Sequence, residues 1–220
     1  MPQTEIETNI KFKTVKEEEI PHLLVPGELG AVLELIVKDE DGKVTEKRVM
    51  KSQSFVKQFL ELLWIYAIGL GEWNSPPYQM KDYSGQLYDM YQCGLNLACN
   101  GGIGVTYQGP AVGTGTTAPT ITDYALQAQI AHGTGAGQLS YGAVAFGAPA
   151  SDTSITQFTI TRDFANSSGG AITVNEIGLF VRGGNSPAYY FLAIRDVISG
   201  GISVPNGQTM TVNYREQVVT

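Results

Sequence analysis

The side chains able to carry acid–base, nucleophilic or metal chemistry are few in this sequence, and they are dispersed. Two cysteines, Cys93 and Cys99, stand in a C-x5-C spacing, and the two histidines, His22 and His132, are isolated from them and from each other. A structural zinc site needs four converging Cys or His ligands, which this set does not supply. The cysteines therefore read as small buried hydrophobes, with a local disulfide as the alternative. His132 precedes Gly133 in a glycine-rich loop, where a solvated imidazole is expected in place of a tuned base. Asp152, Asp163, Glu176 and Asp196 are the acids open to glycoside cleavage, which needs two carboxyl groups facing across a sugar. None sits in an acidic, aromatic-rich neighbourhood. No catalytic residue, cofactor-binding residue or metal ligand is assigned, and the chain reads as a non-enzyme.

The glycine clusters lead to the same place. Gly113-x-Gly115 and Gly133-x-Gly135-x-Gly137 follow neither GxxxxGK[ST] nor GxGxxG, so they read as turns. Asp39-Glu40-Asp41-Gly42 is too short for a full calcium ligand set and suits a tight hairpin turn. Asn166-Ser167-Ser168 matches a glycosylation acceptor with no secretion signal beside it.

Bulk properties narrow the class. Hydrophobic residues make up 43% of the 220, enough for a globular core. A net charge of −7 argues against nucleic acid and anionic membranes as partners. Residues 1–83 hold 10 Lys/Arg and 14 Asp/Glu, whereas residues 84–220 hold 4 and 7, with no lysine after Lys81. A long neutral stretch rich in Gly, Thr, Ser, Ala and Gln fits surfaces covered by neighbouring subunits. No signal peptide is visible in the first residues, and the apolar run from Phe59 to Leu70 is too short to span a bilayer.

The elements that would position any site are mainly β, in an α+β chain. An extended arm is expected over 1–27, either solvated or lying on a neighbour. A hairpin over 30–50 turns at Asp41-Gly42, with a charged return strand. A helix over 52–68 is capped by Ser52 or Ser54 and shows Phe55, Phe59, Leu62, Leu63 and Tyr66 on one stripe. The hairpin, the helix and a Tyr/Gly-rich stretch make an attachment region over 28–110. Within it, 84–92 suits a short helix and 104–107 a strand. Residues 111–220 form an antiparallel β-sandwich or barrel with strands at 141–146, 155–164, 172–181 (bulged near Gly178), 189–198, 202–204 and 209–219. Residues 122–130 suit a short helix or strand. Glu176 and Arg195 are expected to pair across adjacent strands.

Two stretches resemble structural and tail-fibre-like proteins of tailed bacteriophages. They are Val112-Gly-Thr-Gly-Thr-Thr-Ala-Pro-Thr-Ile-Thr-Asp-Tyr-Ala-Leu126 and Val174-Asn-Glu-Ile-Gly-Leu-Phe180, the second followed by Leu192-Ala-Ile-Arg195 and the closing run from Ile202 to Tyr214. The resemblance covers about 110–220, carries turn and strand signatures, and brings no catalytic residues. It implies a virion component made in the host cytoplasm, as capsid decoration or associated with tail or fibre. The implied partners are copies of itself, with a trimer favoured, and other virion proteins. Candidate interface residues are Phe55, Phe59, Trp64, Gly113, Gly115, Glu176, Gly178 and Arg195. The alternative is a host-glycan-binding adhesin using Trp73, Tyr78 and Tyr83, and the third reading is a polysaccharide-degrading enzyme.

Overall fold

The computed structural model describes residues 23–52, 54–69, 78–90, 96–184 and 188–220. Trp73, Cys93 and most of the expected N-terminal arm lie outside them. Among the described residues there are twelve strands and one helix, in two antiparallel sheets that face each other and a small hairpin.

The described residues open with β1 (Leu29–Lys38) and β2 (Val44–Lys51). The expected turn closes this hairpin: Asp39 Oδ1 accepts hydrogen bonds from the Asp41 and Lys43 amides. The helix α1 (Lys57–Ile68) follows, then the hairpin of β3 (Tyr78–Lys81) and β4 (Leu87–Met90). β5 (Gly109–Gly113) and the two-residue strands β6 (Ser140–Tyr141), β7 (Ala145–Phe146) and β8 (Ala150–Ser151) come next. Four long strands close the chain: β9 (Ile155–Ala165), β10 (Ile172–Arg182), β11 (Tyr190–Val204) and β12 (Thr209–Val219).

The larger sheet runs β2-β1-β12-β9, with β6, β7 and β8 each paired to β9; the smaller runs β11-β10-β5. The architecture is a sandwich-like mainly-β fold, not a closed barrel. β1 pairs with β12 along its length, from Leu29↔Val218 to Lys38↔Thr209, so the first and last described strands are neighbours in one sheet. Alternation sets the facing: Ala31, Leu33, Leu35 and Val37 of β1 and Met210, Val212 and Tyr214 of β12 point into the core. The charged β2 forms the outer edge, as a water-facing edge strand should.

Several expected elements differ. Of the 84–92 stretch, the described residues 84–90 are turn and strand, and 104–107 is an irregular loop. Residues 122–130 are also irregular, because their amides turn to a buried carboxylate described below. The 141–146 strand is two short pieces, β6 and β7, laid against β9. Ser199-Gly200-Gly201 is no turn. It is a bulge inside β11, where pairing jumps from Val174↔Ile202 to Glu176↔Val197. The bulge expected near Gly178 falls between Leu179 and Phe180.

The helix is the largest correction. Neither Ser52 nor Ser54 caps it; Val56 occupies that position with no side-chain bond. Residues 54–56 are bound to the edge of β11 instead, through Val56 N to Ala193 O and Arg195 N to Ser54 O. The inward face is Gln58, Leu62 and Ile65, while Leu63 and Tyr66 of the expected stripe turn outward. With apolar residues on both its inward and its outward side, and the polar Gln58 turned inward, periodicity alone does not choose the buried side. No helix among the described residues is long and apolar enough to cross a membrane.

Candidate functional site

The functional residues of a chain with few reactive groups are found by asking why charges are buried. In β10, the inward rhythm of Ile172 and Val174 is broken by Glu176, which is wholly buried. An ionised carboxylate there needs full compensation, and three backbone amides supply part of it. Glu176 Oε1 accepts from Gly115 N at 3.1 Å and Ala128 N at 2.7 Å, and Oε2 from Gln127 N at 3.0 Å. The rest comes from Arg195 on β11, whose Nε lies 2.9 Å from Glu176 Oε2. The expected ion pair is therefore present.

Arg195 reaches further. Its Nη1 binds Asp123 Oδ2 at 2.8 Å and its Nη2 the Thr117 carbonyl at 3.0 Å. Burial opposes ionisation of Asp123, but hydrogen bonds from Thr120 and the Arg195 guanidinium outweigh it and hold the carboxyl below its usual range. Glu176, Arg195 and Asp123 together pin the loop from 114 to 128 onto the outer face of the small sheet. Gly113 and Gly115 allow that approach. A Cβ at Gly113 would lie 2.5 Å from Glu176 Oε1 and 2.6 Å from the Ala128 carbonyl, and one at Gly115 would also strike Glu176. Gly178 admits Leu126 and Leu192, each 2.9 Å from where its Cβ would stand. Gly113→Ala is expected to cost about 1–3 kcal/mol by urea denaturation. Gly170→Ala, with nothing within 4 Å, should leave the midpoint unchanged.

A second buried cation organises the neighbouring loop. Arg162 on β9 is wholly buried, on the face shared by Ile160 and Phe164. All five of its N–H groups are used. Nε binds Gly142 O, Nη1 binds Gln108 and Pro110 O, and Nη2 binds Gly102 and Val105 O, at 2.7–3.1 Å. The Tyr141 and Phe164 rings lie 5.0 and 6.0 Å from its central carbon. Burial lowers its pKa to about 10, so it stays charged at neutral pH. Sequence reasoning passed over Arg162. The available signal was a charge on the apolar register of an alternating strand, Phe158-x-Ile160-x-Arg162-x-Phe164.

The acids proposed for sugar cleavage have separate engagements. Asp152 accepts the Ser154 and Ile155 amides, and Asp163 accepts the Thr211 hydroxyl. Glu176 is held by Arg195, and Asp196 accepts from Ser52. His132 is exposed, and its Nδ1 accepts the Tyr141 amide. Cys99 is a free thiol that burial, with Glu216 nearby, pushes up to about 11. No group of three or more His, Cys, Asp or Glu suited to a metal occurs among the described residues.

The aromatic residues divide. Tyr83 is stacked on Tyr107 at 5.2 Å and set edge-on to Phe180 and Tyr190, a packed cluster. Tyr78 is half-buried; it donates to Glu61 at 2.7 Å, and its ring lies 5.2 Å from that of Trp64. Beside them a shallow groove of about 360 Å³ runs between α1, β3, β4 and the side chains of Thr122 and Tyr124, with Lys57, Glu61, Gln79 and Lys81 among its walls. Phe55 and Phe59, 4.9 Å apart, are half-buried against the core. Trp64 is different: it is 47% exposed, with Leu60 at 69%, Tyr66 at 57% and Ile68 at 49% on the same outward side of α1.

Compared with known proteins, the chain matches no family, no curated protein and no solved structure.

Proposed function

We propose that this chain is a non-enzymatic structural subunit of a tailed-phage particle, serving as capsid decoration or as a tail- or fibre-associated protein. Its work is to bind copies of itself and companion virion proteins. The observation that carries this reading is the outward face of α1. Exposed apolar surface gathered on one element marks a contact site, and Leu60, Leu63, Trp64, Tyr66 and Ile68 of α1 face solvent in the single chain, beside the Lys57–Glu61 pair. At about 100° per residue these positions span an arc of roughly 200°. One neighbouring helix covers a stripe of roughly 100°, so two neighbours are needed, and three copies around α1 satisfy that requirement. The buried ion pair and the buried Arg162 support the same reading, since they spend charge on holding loops rigid. Rigid loops lose little entropy when they dock.

Size-exclusion chromatography with light scattering tests this. The wild-type chain is expected to run as a trimer at micromolar concentration. The double variant Leu60→Glu/Trp64→Glu is expected to run as a monomer with unchanged circular dichroism. A wild-type chain that stays monomeric and never enters particles overturns the reading.

A further inference from the structure

The shallow groove beside α1 gathers positive charge, hydrogen-bond acceptors and an apolar surface along its walls. Lys57, the first residue of α1, and Lys81, the last of β3, supply the charge. Lys57 Nζ lies 3.2 Å from Glu61 Oε1. Lys81 has no carboxylate partner among the described residues; its ammonium stands 4.8 Å from the centre of the Tyr124 ring, an attraction that places the charge without neutralising it. Glu61 accepts from Tyr78 and pairs with Lys57, which leaves its carboxylate with lone pairs to spare. Gln58 is 2% exposed, and its Nε2 donates to the Lys81 carbonyl, which fixes the orientation of the amide. Gln58 Oε1 is then an acceptor with no donor among the described residues. Leu87, 59% exposed, adds the apolar surface. We propose that this groove binds a single carboxylated sugar unit, with its carboxylate at Lys81 and Lys57 and its hydroxyls at Glu61 and Gln58.

The mixture of groups selects this ligand over simpler ones. A buried acceptor without a donor costs free energy until one reaches it. The terminal torsion of a glutamine is broad, so a small turn of the amide brings Gln58 Oε1 to an arriving hydroxyl. A simple anion would meet the lysines and leave the acceptors at Gln58 and Glu61 unserved. A neutral sugar would serve those acceptors and leave the Lys81 charge without a partner. A sugar acid does both, and the apolar face of its ring rests on Leu87. The groove, at about 360 Å³, is at the small end of the roughly 300–1,000 Å³ that ligand sites enclose, which suits one sugar unit.

The groove lies within one chain, so its test reads separately from the assembly that light scattering reports. Ligand-observed NMR titration of the full chain with sodium glucuronate at neutral pH is expected to give a Kd on the order of 1 mM. Added salt should weaken that binding. Glucose and acetate should each bind at least about ten-fold more weakly. Lys81→Gln, at an exposed position, should weaken glucuronate about five-fold with unchanged circular dichroism. Lys43→Gln, in the β1–β2 turn and away from the groove, should bind as the wild type does. Absence of glucuronate binding, or full affinity in Lys81→Gln, overturns the proposal. So does equal binding of acetate or inorganic phosphate, since the groove would then be an anion patch only.

Discussion

Arg195→Met will lower the stability of the fold by about 3–5 kcal/mol, because it strands a wholly buried carboxylate. Methionine fills much of the arginine stem but offers no donor to Glu176, Asp123 or the Thr117 carbonyl. The three amides at Gly115, Gln127 and Ala128 remain, and they alone do not neutralise the charge. Calorimetry should show a fall in Tm of roughly 10 °C, with faster amide exchange across residues 114–128. Adding Glu176→Gln to Arg195→Met should recover part of the loss, giving a coupling of about 2 kcal/mol in the double-mutant cycle. A variant within about 1 kcal/mol of wild type would mean that the network does not hold the loop.

Arg162→Met should be comparably damaging, for a different reason. Arg162 has no carboxylate among its hydrogen-bond partners; its charge is met by five carbonyl dipoles and two ring faces. Removing it leaves those carbonyls from Gly102 to Gly142 short of donors, at about 1–3 kcal/mol for each that water cannot reach. A total of roughly 3–5 kcal/mol is expected by urea denaturation, with exchange rising in residues 101–110. Arg162→Lys should restore little, since an ammonium has three donors and lacks the planar fork that reaches five acceptors. Full rescue by lysine would show that the positive charge, not the geometry of the donors, organises the loop.

The long strands were legible because alternation and turn chemistry agree along them. Asp41-Gly42, the Phe158-to-Phe164 alternation and the run ending at Tyr214 each specify a strand with little competition. The Glu176–Arg195 pair was legible for the same reason, as two charges on neighbouring apolar registers. Residues 101–130 were not, because their backbone partners are side chains far away in sequence: Arg162 takes carbonyls, and Glu176 takes amides. Local propensity carries no trace of a partner some 50 residues distant. The face of α1 was misjudged because apolar residues lie on both its inward and its outward side.

Of the candidate interface residues, Phe55, Phe59, Gly113, Gly115, Glu176, Gly178 and Arg195 are engaged within the chain. Trp64 stands on the uncovered helix face. Cryo-electron microscopy of purified virions tests the central claim most directly. The account predicts density for this chain in groups of three, with Leu60, Trp64 and Ile68 of each copy buried against its neighbours. Virions without the chain, or a solitary copy whose α1 faces open solvent, would contradict it.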